Sequence, residues 1–141
     1  MNQRKYILEN EFDRASSFFD LSKERQLKII NWIHMYFIPI KSCNYQAMSS
    51  YGLKHLYERW MYKFEGKSEY LSNGELKGAM FAAGFSSNDY ETSQHCHFNI
   101  SKTSLNLLHE ILNSEYRYVN ADNELTKATN LMITTRLRGE L

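Results

Sequence analysis

The chain has 141 residues, 43% of them hydrophobic and 23% charged, which suits one buried core rather than two domains and excludes an intrinsically disordered chain. Its formal net charge of +1 excludes a globally basic duplex binder and an acidic nucleic-acid mimic alike, so any nucleic-acid role must rest on a local patch. Two cysteines, Cys43 and Cys96, form no disulfide framework, and no apolar run approaches the ~20 residues of a membrane span.

In chain order, the apolar spacing is mostly helical. Arg4–Phe19 reads as a first helix, with Leu8, Phe12, Ala15 and Phe19 at steps of three and four. Asp20 and Ser22 offer caps for a second helix running to about Phe37. Its polar strip is narrow (Lys28, Asn31, Met35), and a helix so apolar around its circumference is expected at the centre. Pro39 ends it, because the residue before a proline resists helical geometry. After a polar connector, Ile40–Ser49, a third helix spans Ser50 to about Phe64, and Leu53, Leu56, Tyr57, Trp60, Met61 and Phe64 make its apolar stripe.

Gly66–Ser72 is a loop. Ser72 and Glu75 then have the spacing of a capping box, in which side chains satisfy each other's backbone donors. The fourth helix, about Asn73–Ala83, buries Leu76, Ala79, Met80 and Ala83, with Gly84 as its left-handed C-terminal cap and Phe85 folding back. Ser86–Gln94 is loop-like and His95–Ile100 carries a weak extended signal. Ser101 or Thr103 caps a fifth helix with Leu105, Leu108, Ile111 and Leu112 inside. Beyond Tyr116–Asn120, Asp122 caps a last helix to about Arg138. The expected architecture is a single all-α domain over 1–141, a compact bundle of five or six helices, with a minor β element near 95–100.

Four blocks in the middle of the chain stand out: Ser-Ser-Tyr-Gly-Leu-Lys-His at 49–55, Asn-Gly-Glu-Leu-Lys-Gly-Ala-Met at 73–80, Ala-Gly-Phe at 83–85 and Phe-Asn-Ile-Ser at 98–101. Residues 49–101 thereby resemble a module met in short accessory proteins of Gram-positive phages and integrative elements, with the long insert Trp60–Ser72 as the departure from it. The resemblance implies a small accessory protein of a mobile element, acting in the cytoplasm of a bacterial host. The two cysteines fit a reducing compartment, and the N-terminal Met-Asn-Gln-Arg-Lys lacks the apolar core of a secretion signal.

With the apolar stripe of the third helix turned inward, Lys54, His55, Glu58, Arg59 and Tyr62 are expected to face out. Gly52 near the helix start would let a backbone or phosphate approach. The plain alternative is a solvated face with a Lys54–Glu58 pair worth ~0.2–0.5 kcal/mol. On the fourth helix, Phe81 lies off the buried stripe beside an outward Lys77. A helix-turn-helix reading of this region fails on the long loop before the next helix, since such turns span ~3–4 residues. The candidate partner-binding residues are therefore Tyr51, Lys54, His55, Arg59, Lys77 and Phe81.

His95, Cys96 and His97 lack the paired spacings of a zinc site, so no metal or cofactor is expected. No nucleophile elbow, phosphate loop or dinucleotide fingerprint occurs. The favoured reading is a non-enzymatic binder that inhibits a host protein or nucleoprotein, for example a defence nuclease such as a CRISPR effector. The alternative is a helical DNA-binding transcription regulator using Lys54–Lys63, Lys77, Lys102, Arg136 and Arg138.

Overall fold

The computed structural model of the chain describes residues 11–114. Over them the chain is mainly helical, and no strand occurs among the described residues. The four α-helices are α1 (Lys23–Tyr36), α2 (Ser50–Trp60), α3 (Asn73–Ala82) and α4 (Lys102–Leu112). The last expected helix, from Asp122, lies outside the described residues, as does the 4–10 part of the first.

Residues 11–20 do not continue as one helix. Two 3₁₀ turns, Glu11–Asp13 and Ala15–Asp20, are broken by Arg14 in an extended conformation. Serine competes here with the helical backbone: Ser17 Oγ donates to the Arg14 carbonyl at 2.6 Å. The tighter winding also changes which ring points inward. Phe18 is fully buried while Phe12 and Phe19 are exposed, reversing the expected stripe.

Helix α1 begins where Ser22 Oγ accepts from the Arg25 amide and ends as Phe37 turns extended ahead of Pro39. It buries one face, with Ile29, Trp32, Ile33 and Tyr36. Leu27 remains 60% exposed, so α1 is a one-sided helix rather than a surrounded one. In α2 the expected stripe holds, with Leu53, Leu56, Tyr57 and Trp60 all buried. The helix does not run on regularly to Phe64. Its last part, Met61–Glu65, widens into a π-helical turn closed by Gly66 in the left-handed region.

The capping box at Ser72 and Glu75 forms as the spacing demands, with bonds of 3.0 and 2.8 Å. Helix α3 packs on the Ala15–Asp20 segment and against α1 and α2. It approaches that segment so closely that a Cβ on Gly78 would collide with the Ala15 carbonyl and the Phe18 side chain. At its end Gly84 takes φ 98°, and Phe85 folds back to meet Phe37 with ring centroids 6.5 Å apart.

Ser101 caps α4 through the Ser104 amide. The β element near 95–100 contracts to one antiparallel bridge, Pro39 to Ile100. Proline has no amide proton to extend a ladder. The stretch is nevertheless held along its length, with Ile40 N donating to Asn99 O, Ser101 N to Ile38 O and Asn44 N to Phe98 O. An aromatic centre ties the layers together: the Trp32 ring lies 5.0 Å from Phe37 and 5.1 Å from Tyr57.

Candidate functional site: an aromatic and cationic face on α2

With Leu53, Leu56, Tyr57 and Trp60 turned inward, helical spacing brings Tyr51, His55 and Arg59 onto one outward row, continued by Tyr62 in the π turn. Tyr51 is 48% and Tyr62 70% exposed. The Tyr51 ring stands edge-on to both His55 (4.5 Å) and His95 (4.9 Å). Tyr70, in the loop after the π turn, is 62% exposed and joins the same face.

Lys54 belongs to this face but does not point away from it. It is only 6% exposed. Its ammonium lies 5.5 Å from the centroid of Tyr51 and 4.8 Å from that of Tyr70 and pairs with Glu58 at 3.3 Å. The spacing foresaw the ion pair. It did not foresee the two tyrosine rings that cover the cation.

Glu58 is fully engaged. Besides Lys54 it faces His55 Nδ1 at 3.0 Å and accepts from the Leu71 amide at 2.9 Å, which anchors the loop carrying Tyr70. Glu75 is committed to its capping box and lies outside this set. Gly52 offers no approach for a ligand, because the Met48 side chain fills the space a Cβ would occupy.

Beside the row opens a groove of about 730 Å³, lined by His55, Glu58, Arg59, Tyr62, Lys63, Gly66, Ser68 and Leu112. Arg59 donates to Asn113 Oδ1 at 3.1 Å. Lys63 Nζ donates to the carbonyls of Leu112 and Ser114 at 3.0 and 2.6 Å, meeting the negative end of α4. Both side chains thus help to fix the end of α4 to α2.

The two remaining candidates lie elsewhere. Lys77, expected outward, is fully buried. Its ammonium donates to the Asp13 carbonyl at 3.0 Å and sits 5.3 Å from the Tyr90 ring; burial lowers its pKa below the usual lysine value. The close packing of α3 on residues 13–18 encloses what a free amphipathic helix would expose. Phe81 is half-buried, edge-on to Tyr90 at 5.2 Å and to Phe98 at 5.4 Å, so the loop and the 95–100 stretch cover it.

His95 and His97 diverge toward different tyrosines: His97 neighbours Tyr45 at 5.6 Å, while His95 meets Tyr51. Between them Cys96 is buried, and burial raises its thiol pKa. His97 Nδ1 lies 2.9 Å from Asp89 Oδ2. Asp89 Oδ1 accepts from the His97 amide and from Ser87 Oγ. Burial opposes the Asp89 charge, but these bonds outweigh it and hold the carboxyl below its ordinary pKa. Among the described residues no group of three His, Cys, Asp or Glu side chains could hold a metal ion, and no helix is long and apolar enough to cross a membrane.

Helical period placed His55, Arg59 and Tyr62 outward, where they lie, and the candidate Tyr51 is exposed beside them; it did not bring Tyr70 or His95 to this face. No local signal marks either, since both reach the face through loops. No family model, curated protein or solved structure matches the chain.

Proposed function

We propose that the chain is a small non-enzymatic protein that works by docking on a host protein or nucleoprotein, in the manner of an accessory inhibitor carried by a phage or integrative element. A defence nuclease such as a CRISPR effector is the kind of target this reading names. One observation supports it above the rest: Tyr51, His55 and Arg59 on α2 and Tyr62 in the π turn after it form one exposed row, widened by Tyr70. Tyr and Arg are the residue types that most often dominate contact energy. The mobile-element part of the reading rests on the motif blocks of residues 49–101.

The alternative, a regulator reading duplex DNA, loses support. Lys54 and Lys77, two of its cations, are buried. Helix α3 is buried along most of its length and presents no face for a major groove.

The test is affinity capture from a bacterial host lysate with the parent chain and a Tyr51→Ala/Tyr62→Ala variant. The expected result is a defined partner retained by the parent and lost by the variant, at an unchanged melting temperature. Equal capture by both would move the working surface away from α2.

A further inference from the structure

We infer that residues 67–70 form a strap over Lys54, held shut by Glu69 and Arg25, which opens while α2 and α3 stay folded. The α2 face then has a closed state that presents Tyr70 and an open state that presents Lys54. The consequence for binding rests on reading α2 as the docking face, whereas the strap itself does not.

The way this segment is held sets it apart from its surroundings. Its main chain makes one bond at the start, Lys67 N to Met61 O at 3.3 Å, and among the described residues none pairs main chain with main chain over 68–71. Side chains hold it instead. Glu69 Oε2 accepts from the Tyr57 hydroxyl at 2.7 Å and lies 3.7 Å from the Arg25 guanidinium. Arg25 also donates to the Tyr70 carbonyl at 3.2 Å. The Arg25 hold is loose, because 3.7 Å is too long for a hydrogen bond and Arg25 Nε is buried without a partner. Segments with few main-chain bonds are those that open locally at low free energy.

Both ends of the strap are fixed. Gly66 closes the π turn with φ 64°, a conformation that glycine adopts freely. At the other end Leu71 is fully buried, its amide bonded to Glu58 at 2.9 Å, and Ser72 enters the capping box of α3. Movement is therefore confined between a glycine and a buried leucine, as in a hinged flap.

What the strap covers gives it a role. Lys54 is 6% exposed, and its ammonium lies 4.8 Å from the Tyr70 centroid and 3.3 Å from Glu58. Tyr70 is itself 62% exposed, so one ring both shields the cation and faces outward. When the strap opens, Tyr70 leaves the row and the ammonium reaches water. Hydration of the ammonium offsets the lost cation–π contact, which narrows the gap between the two states. A partner that packs on Tyr70 favours the closed state by its differential affinity.

The experiment is acetylation of the full chain with an amine-acylating reagent, each lysine being followed by peptide mass spectrometry and exposed Lys41 serving as the internal reference. Lys54 is expected to react well below Lys41 in the parent. Arg25→Met/Glu69→Gln, in which Gln keeps an acceptor for the Tyr57 hydroxyl, should raise the Lys54 rate about tenfold, the effect of losing a charge-assisted hydrogen bond. Tyr70→Ala should raise it at least as much, since the cover is gone. Arg25→Met alone leaves the Tyr57–Glu69 bond intact and should give a smaller rise, which decides the matter if the pair fails to fold. Lys54 reacting as fast as Lys41 in the parent would overturn the inference. So would a parental Lys54 rate in Tyr70→Ala or Arg25→Met, or a rise of all lysines together in Arg25→Met, since the segment would then not open apart from the fold. The capture experiment substitutes no strap residue, so the two readings fail separately. Capture that needs Tyr51 and Tyr62 while Lys54 stays unresponsive overturns the strap alone. A responsive Lys54 with capture indifferent to Tyr51 and Tyr62 supports the strap and overturns the docking reading.

Discussion

Trp60 and Tyr36 form a buried pair in which the indole Nε1 donates to the phenol oxygen at 3.0 Å. Burial pushes the Tyr36 hydroxyl well above its ordinary pKa, so the phenol stays protonated. Trp60→Ala empties a large aromatic site and should cost ~3–5 kcal/mol in denaturant unfolding. Tyr36→Phe keeps the ring but orphans the indole N–H, a loss of ~1–3 kcal/mol. A parental midpoint for either variant would remove the pair from the core. Lys77 tests a different distinction. Lys77→Ala deletes a buried stem and a donor to the Asp13 carbonyl, so it should destabilise the fold by ~2–4 kcal/mol. The partner affinity of the folded variant should stay parental, since the side chain does not reach the surface. Reduced affinity with parental stability would restore Lys77 to the contact face.

Among the elements, α3 is the most tightly specified. Its start is set by a reciprocal cap, its end by a left-handed glycine, and its inner face by the approach to residues 14–18. Gly78→Ala should therefore destabilise through overpacking by ~1–3 kcal/mol, although alanine has the better helix propensity. A gain in melting temperature would mean that the Ala15–Asp20 segment yields easily. Helix α2 makes the opposite use of its surface. It buries one stripe and leaves the Tyr51–Tyr62 row open, and α4 is joined to it by Arg59 and Lys63 acting on carbonyl and amide oxygens. Substitutions on the open row should alter binding with stability changes below ~0.5 kcal/mol.

For the whole molecule, the loop 86–97 is tied down by Asp89, and this tie sets an acid limit. The Asp89 carboxyl is held below its ordinary value, so the folded protein keeps it ionised at a pH where the unfolded chain has begun to bind a proton. Its contribution is whole above about pH 5 and is lost as pH falls through about 4 and below. Asp89→Asn should lower stability at neutral pH and flatten the acid limb of a melting-temperature profile. An unchanged profile would assign acid sensitivity to another carboxylate. Against this background, what the sequence determined by itself is local. The caps at Ser22, Ser72 and Ser101, the stop before Pro39, the Leu53–Trp60 stripe and the Gly84 turn all depend on neighbours within one or two helical turns, and they stand in the chain as spacing and residue type. Tertiary structure alone decided where cations and rings ended up. Lys54 disappears beneath Tyr51 and a loop tyrosine, Lys77 beneath Asp13 and Tyr90, and Phe81 beneath Phe98, because the covering groups come from segments distant along the chain or without a period of their own. A helix-facing rule reads which side of α2 or α3 is apolar. It cannot read what packs over the other side, and here that packing separates the exposed face of α2 from the interior.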